Sequence, residues 1–291
     1  MKIALFFEHR DIGSSGNYVE RALRSLGHEV VYFRKHEMAK ASGFDLYFRV
    51  EDGEYGYRFS AEQRPAVYWT MDTHVPFSLR RILKEICEYD FIFACHLSGV
   101  KRLTQEGLGA RLAWLPVGCD PEVHGKIEGE KKYLVSSIGK EEGVPRKFLL
   151  QEIRERYQPA FIQKAHFSQM KPVYSSSKIG FNQAINRDLN MRVFEVMCAG
   201  AMLVTSEVED ESYEKLGLAD RKNLVIFRSP RELFELLDYY LAHDKEREAI
   251  AAEGRRFVLE KHTYRHRMQN ALSTLQANGI LKDISPSLLE K

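Results

Sequence analysis

Short apolar runs that are typical of strands alternate with helical patterns twice along the chain of 291 residues. The first series opens with an apolar run at 2–7 and a helical pattern at 17–26. Alternation of this kind predicts a parallel sheet with helices on both faces. A Pro- and Gly-containing stretch at 116–121 interrupts the series, and a second one begins at Tyr133. The sequence therefore predicts an α/β protein with two Rossmann-like parallel-sheet domains, at 1–120 and 121–262, and a C-terminal helix and tail at 263–291.

The composition limits the possible partners. The chain is 44% hydrophobic and 29% charged, as in soluble globular proteins, and its net charge of +2 predicts no nucleic-acid partner. Local basic runs such as Arg255-Arg256 are typical of solvated helix faces, although they could favour weak peripheral association with an anionic membrane. No apolar run approaches the ~20 residues that span a bilayer, and the first apolar run is too short for a signal peptide. The four cysteines lack Cys-x-x-Cys spacing. We expect reduced thiols and a cytoplasmic protein.

The stretch 190–205 predicts a helix that turns sharply into a buried strand. Arg192 falls in the first turn, beside unpaired backbone N–H groups and the positive end of the helix dipole, which favours an anion there. Glu195, one turn further on, could accept hydrogen bonds from a sugar diol. Asn190 ends the loop that leads into the helix and is a third candidate. Together these residues suit a nucleotide diphosphate, although an ordinary packed helix with a solvated Arg and Glu explains them equally well.

The same stretch resembles the donor-binding helix of GT-B glycosyltransferases, in which a Glu is followed by Ala/Val-Met-Ala/Cys-x-Gly and an apolar strand. Its form, Arg-Val-Phe-Glu-x-Met-x-x-Gly-x-x-Leu-Val-Thr, is most similar to the CgeB-like branch, named for a spore maturation protein. The resemblance covers most of the chain. It implies two domains that face a central cleft, with the acceptor side in the first, the nucleotide sugar in the second, and the helix at 264–276 packed back on the first domain.

Two loops gain a role from this resemblance. Family 4 glycosyltransferases carry a Gly-Arg pair and a later Lys that neutralise the donor diphosphate. Gly139-Lys140 and Arg146 stand in their place here, and two cations would stabilise the leaving group without a metal. Lys140 could instead be a solvated loop residue. The loop after the first strand, with Gly13 and Gly16, would help to hold the transferred sugar or the acceptor, or is a plain strand-to-helix turn.

The segment 174–182 resembles the CgeB-like stretch that follows the donor base, which makes Lys178 and Asn182 candidate polar contacts. Arg187 stands where the family 4 pattern has the first of two glutamates. This departure favours a non-catalytic protein that senses a nucleotide sugar or acts as a scaffold.

Asp72 and His74 follow the apolar run 66–70, at the carboxyl end of a predicted strand, where open parallel sheets bind ligands. Either side chain could act as a general base toward an acceptor hydroxyl, because both types accept a proton near neutral pH. The alternative for both is a structural hydrogen bond.

The sequence thus predicts a metal-independent glycosyltransferase of the hexosyltransferase type that needs no cofactor. Its donor would be a UDP-, GDP- or dTDP-sugar, and its acceptor a hydroxyl group on a glycan, a lipid-linked molecule or a small molecule. Retention of the anomeric configuration is favoured over inversion. The alternatives are a non-catalytic GT-B protein that binds nucleotide sugars and a sugar-nucleotide epimerase.

Overall fold

A computed structural model describes residues 1–10 and 13–282. The chain divides into two compact units. Unit 1 comprises Met1–Val117 and the chain from Tyr264 onward, and unit 2 comprises Gly118–Thr263. The chain therefore passes from one unit to the other twice. Within the described part of the chain, no helix is both long enough and apolar enough to cross a membrane.

The strands and helices are numbered along the chain. The strands are β1 (Lys2–Phe6), β2 (Glu29–Phe33), β3 (Leu46–Val50), β4 (Ala66–Thr70), β5 (Phe91–Ala94), β6 (Leu112–Trp114), β7 (Tyr133–Ile138), β8 (Ala160–Gln163), β9 (Ser177–Asn182), β10 (Met202–Ser206) and β11 (Val225–Phe227). The α-helices are α1 (Ser15–Ser25), α2 (Pro76–Glu85), α3 (Leu97–Leu103), α4 (Pro121–His124), α5 (Arg146–Arg156), α6 (Met170–Ser175), α7 (Met191–Cys198), α8 (Ser212–Leu216), α9 (Pro230–Ala242), α10 (Asp244–Lys261) and α11 (Tyr264–Ala277). Short 3-10 or π turns occupy Lys35–Lys40, Ile86–Glu88, Thr104–Leu108, Gly109–Arg111 and Phe167–Gln169.

Each unit is built on one sheet, and the described strand pairs of both sheets are parallel, so the predicted pair of parallel-sheet α/β units is confirmed. Unit 1 has the order β2-β1-β3-β4-β5-β6, and unit 2 has the order β11-β10-β9-β7-β8. In both sheets the first strand of the unit lies between the second and the third. The chain reverses its direction of winding at that point, and such switch points bind ligands at the carboxyl ends of the strands. In unit 2 the switch point lies at the ends of β7 and β9.

The core of unit 1 contains a buried ion pair. Arg49 on β3 is fully buried, and its guanidinium donates to the carboxylate of Glu85 at the end of α2. The rings of Tyr57 and Tyr68 lie 4.1 and 4.3 Å from the same guanidinium. The other Glu85 oxygen accepts the Gly56 backbone N–H at 2.6 Å. Both terminal nitrogens of the guanidinium and both carboxylate oxygens thus have close partners, as a buried charge requires, while Nε of Arg49 has none among the described residues.

The C-terminal helix α11 is part of unit 1. The ring of Tyr264 lies 5.1 Å from that of Tyr18 on α1 and 6.1 Å from that of Trp69 on β4. The buried Arg267 donates from Nε to the carbonyl of Val117 at 3.1 Å. These contacts seat α11 on the core of this unit.

Gly16 allows α1 to approach β1 closely. A Cβ atom added at Gly16 would lie only 2.3 Å from Cγ of the Phe7 ring, which is fully buried. We therefore expect Gly16→Ala to lower the free energy of unfolding by about 1–3 kcal/mol, the usual cost of an overpacked core. Urea unfolding would measure this loss. Gly109→Ala is the matched control, because its Cβ would make only an ordinary 3.5 Å contact with Thr104. Equal losses in both variants would contradict this explanation of Gly16.

Candidate functional site

The loop after β7 brings Arg146 to the switch point of unit 2. The strand ends at Ile138, and a Cβ atom at the next residue, Gly139, would lie 3.0 Å from Nη2 of Arg146. The guanidinium therefore folds back over the backbone at the carboxyl end of β7. Glycine at 139 leaves the space that this approach needs.

Arg146 carries a charge that makes no ion pair with the described residues. Its Nε is buried and has no hydrogen-bond partner among the described residues, and it makes no ion pair with them. Burial, and after it the positive charge of Arg192, lowers the pKa of Arg146. Two guanidinium groups that repel each other at a ligand-binding edge form a ready site for an anion.

Arg192 lies in the first turn of α7, which starts just after the switch point. Its Nη1 donates to Oε2 of Glu195 at 2.8 Å, and its guanidinium lies 5.6 Å from the centre of the Tyr174 ring. The Tyr174 hydroxyl accepts the backbone N–H of Ile138 at 2.9 Å. One aromatic side chain thus contacts both the Arg192 guanidinium and the end of β7.

The second carboxylate oxygen of Glu195 faces His124, a residue that the sequence analysis missed. Nδ1 of His124 accepts the backbone N–H of Asp120 at 3.1 Å, so its proton must be on Nε2. That Nε2 lies 3.5 Å from Oε1 of Glu195, and both side chains are buried. His124 ends the short helix α4. The N-cap of this helix, Asp120, lies in the Pro- and Gly-containing stretch that separates the two predicted domains. Pro121 after an Asp is a helix-start signal that could have revealed this short helix.

Asn182 and Asn190 complete the carboxyl edge. Asn182 ends β9 and donates to Oγ1 of Thr205 on β10 at 3.0 Å. Its own Oδ1 accepts from Nδ2 of Asn190 at 3.3 Å. The buried Oδ1 of Asn190, the N-cap residue of α7, has no hydrogen-bond partner in the described part of the chain. The structure therefore brings Asn182, Asn190, Arg192, Glu195 and Arg146 to one edge of the sheet.

Two lysines, Lys178 and Lys140, were also expected at this site. Lys178 stands near the amino end of β9, opposite the end that carries Asn182, and its Nζ lies 3.4 Å from the carboxylate of Asp244. The contact of Lys178 with a donor base stays a prediction, although the first residues of a parallel strand lie at the sheet edge opposite to the carboxyl ends. Lys140 follows Gly139 but is exposed to solvent.

Arg187 is exposed in the loop before α7. Its guanidinium pairs with Glu207 at 2.8 Å and with Glu209 at 3.5 Å. Its φ of +52° is an unusual backbone conformation for a side chain other than glycine. Its charge is thus used in surface ion pairs.

The remaining candidates belong to unit 1. Gly13 and Gly16 lie at the start of α1, where Gly16 serves the packing against Phe7 described above. Asp72 is exposed just after β4, and its backbone N–H faces Oε2 of Glu51 at 3.4 Å. The Nδ1 of His74 is buried without a hydrogen-bond partner among the described residues.

Glu51 is a second residue that the sequence analysis missed. It follows β3, is 4% exposed and accepts the backbone N–H of Met71 at 2.6 Å. Burial raises the pKa of this carboxyl group, and the nearby charge of Asp72 adds to the effect. Its position after a buried strand was the available signal.

Comparison with known proteins agrees with this fold. Residues 134–273 match the family model described as glycosyl transferase-like. The chain is similar to an alpha-glucosyltransferase solved with UDP-glucose and DNA containing an abasic site (15% identity, TM-score 0.71, 95% of this chain and 99% of that chain covered). It is also similar to HepE of Anabaena in complex with UDP and glucose (12%, 0.66, 95% and 100%). A third similar structure is sucrose-phosphate synthase of Thermosynechococcus elongatus (11%, 0.65, 95% and 99%). No curated protein matches the sequence.

The sheets, their switch points and these likenesses define a protein of the GT-B glycosyltransferase fold. The residues that match the glycosyl transferase-like family model, 134–273, include Arg146 and all of α7. The closer resemblance to the CgeB-like branch stays a prediction.

Proposed function

We propose that this protein is a metal-independent glycosyltransferase that takes a UDP-sugar and transfers the glycosyl group to an acceptor hydroxyl, with retention of configuration. The observation that carries the proposal is the pair Arg146 and Arg192 at the switch point of unit 2. Burial and the positive charge of Arg192 make the Arg146 guanidinium costly in the absence of an anion, and Arg146 has no ion-pair partner among the described residues, whereas Arg192 pairs with Glu195.

Departure of a nucleoside diphosphate is the step that this pair would assist. Cleavage of the glycosidic bond leaves a developing negative charge on the β-phosphate. Two fixed guanidinium groups and the first N–H groups of α7 would stabilise that charge more strongly in the transition state than in the bound donor. No metal is required in this proposal, because the protein's own cations neutralise the leaving group.

The choice of uridine rests on the similar structures. The glucosyltransferase was solved with UDP-glucose and HepE with UDP and glucose. We therefore propose UDP-glucose as the first donor to test, with GDP- and dTDP-sugars as comparisons. The exclusion of nucleic acid as a partner stays a prediction, since the glucosyltransferase was solved with DNA.

Glu195 would bind the ribose after a local exchange. In the described structure it is 3% exposed and its two oxygens face Arg192 and His124. We propose that a bound diphosphate draws Arg192 away and frees Oε2 for a ribose hydroxyl. His124 would keep the carboxylate in place through Oε1.

A two-part assay tests this proposal. Purified protein with UDP-glucose and EDTA should release UDP slowly, and Glu195→Gln should weaken UDP binding about tenfold or more through loss of a charge-assisted hydrogen bond. Binding of 2′,3′-dideoxy-UDP should be weak in both proteins and nearly unaffected by the substitution. Isothermal titration calorimetry would measure both ligands.

Other outcomes would reject parts of the proposal. Equal losses for UDP and its dideoxy analogue would show that Glu195 does not bind the ribose. Tight UDP binding without release, across glycan, lipid-linked and small-molecule acceptors, would identify a non-catalytic sensor, the alternative that Arg187 favours. Loss of activity in EDTA would contradict metal independence.

We propose Asp72 and His74 as the residues that face the acceptor. The substitutions Asp72→Asn and His74→Gln should then lower transfer and spare UDP binding.

A further inference from the structure

Unit 2 contains a second cationic region, at the edge of its sheet opposite to Arg146. A cavity of about 690 Å³ lies along α10. Lys178 near the start of β9 and Gly200 just before β10 both line it, so it borders the amino ends of these strands. The cationic side chains in its lining are Lys126, Lys131, Lys178, Arg247, Arg255 and Arg256.

Among the described residues, four of these six cations make ion pairs and two do not. Lys126 pairs with the exposed Glu128, Lys178 and Arg247 share Asp244, and Arg256 pairs with Glu253 and Glu260. Among the described residues, neither Lys131 nor Arg255 makes an ion pair. The unpaired charge of the cavity is therefore concentrated on these two side chains.

Lys126, Lys131 and Arg255 converge around Gly200. A Cβ atom at Gly200 would lie 3.1 Å from Cδ of Lys126 and 3.5 Å from Cδ of Arg255. The Gly200 carbonyl accepts from Nζ of Lys131 at 3.3 Å. The Nε of Arg255 is buried and has no hydrogen-bond partner in the described structure.

Stabilisation of helix ends explains only one of these cations. Nζ of Lys131 donates to the carbonyls of Gly200 and Ser175, which follow or end α7 and α6, and a cation there complements the helix dipole. That dipole amounts to about half a unit charge. Lys131 alone exceeds it, so the helix ends do not account for Lys126 and Arg255. Arg255 has no ion pair among the described residues, and the only ion pair of Lys126 among them is with the exposed Glu128, which a bound phosphate would replace.

We propose that Lys126, Lys131 and Arg255 form a second anion site, which binds a phosphate group of a soluble phosphorylated molecule or of a lipid headgroup. This site is separate from the proposed donor site and does not depend on it. A phosphate offers several acceptor oxygens to Nε and Nη of Arg255 and to two ammonium groups, the arrangement that charge-assisted hydrogen bonds favour.

The ionisation of Lys131 is consistent with this site. Partial desolvation, followed by the charges of Lys126 and Arg247, lowers its pKa to about 8. A bound anion would stabilise the ammonium form and raise that pKa again. The reactivity of Lys131 toward an amine reagent near pH 8 is therefore a local report of occupancy, because only the neutral amine reacts.

Pyrophosphate is the probe for the soluble source. The whole chain carrying Arg146→Ala and Arg192→Ala removes the donor site and should still bind pyrophosphate. Further substitution Lys126→Gln and Arg255→Gln should weaken this binding about tenfold or more. Arg256→Gln on the same helix is the matched control and should change it less than about twofold, because its charge is spent on Glu253 and Glu260. Calorimetry measures the affinities.

Two further arms locate the site and its source. Pyrophosphate should slow acetylation of Lys131, followed by mass spectrometry, in the donor-site variant and not after Lys126→Gln and Arg255→Gln. Sedimentation with phosphatidylcholine vesicles containing phosphatidic acid tests the lipid source, and loss of sedimentation in the same variant would support it. Absence of binding in both arms, equal losses with Arg256→Gln, or unchanged labelling of Lys131 would overturn the proposal. Failure of the donor site alone would leave these results intact.

Discussion

Arg146→Ala should lower kcat/KM for transfer from UDP-glucose by about 10²–10³, the usual loss when one group that stabilises a developing oxyanion is removed. The reason is that the Arg146 guanidinium lies at the switch point of unit 2, near the charge of Arg192, and makes no ion pair with the described residues. Arg146→Lys should recover part of the loss, since it restores the charge but not the planar fork of donors. Initial rates of UDP release at several donor concentrations would measure the effect.

Arg156→Ala is the control on the same helix. This residue ends α5, is exposed, and pairs with Glu152 and Asp238 at the surface. We expect no more than a small change in rate and less than about 1 kcal/mol of lost stability. A rate loss in Arg156→Ala that equals the loss in Arg146→Ala would show that damage to α5, and not the missing charge, is responsible.

Glu85→Ala should lower the free energy of unfolding by about 3–5 kcal/mol, because it leaves the Arg49 charge buried and unpaired in unit 1. The backbone N–H groups of Gly56 and Tyr57 lose their acceptor in the same variant. Urea unfolding of the whole chain, followed by tyrosine and tryptophan fluorescence, would measure the change.

Two companion variants test the cause of that loss. Adding Arg49→Met to Glu85→Ala should recover part of the stability, because the uncompensated charge is removed. Glu88→Ala breaks a pair with the exposed Arg58 and should cost about 1 kcal/mol or less. An additive double variant would contradict the idea that the buried charge dominates.

Local patterns in the sequence predicted most of the fold. The bounds of β4 agree with the expected segment at 66–70, and those of α11 agree within one residue with the helix expected at 264–276, since apolar or amphipathic runs mark them. The strand β8 was missed because it lies at the edge of its sheet and its apolar run, at 160–162, is only three residues long. Strands at the edge of a sheet have a weaker apolar pattern than central strands, and the prediction of strands from sequence depends on that pattern.

The candidate site was predictable only where its parts are close in sequence. Arg192 and Glu195 are one helical turn apart, and the loop that ends with Arg146 has a recognisable form. His124 comes from a four-residue helix that is distant from Glu195 in the sequence. Only the folding of unit 2 brings the two side chains together. Lys178 lies near the amino end of β9, and its proposed contact with the donor base stays a prediction.

The return of the chain to unit 1 has a practical consequence for dissecting the protein. A recombinant piece that stops at Val117 would lack α11 and would expose Trp69 and Tyr18 where Tyr264 now covers them. Co-expression with a peptide covering α11 should rescue the solubility of such a piece. The excision of 118–263, by contrast, removes unit 2 and leaves the sheet of unit 1 uninterrupted, so a short flexible linker across that gap is the rational route to an isolated first unit.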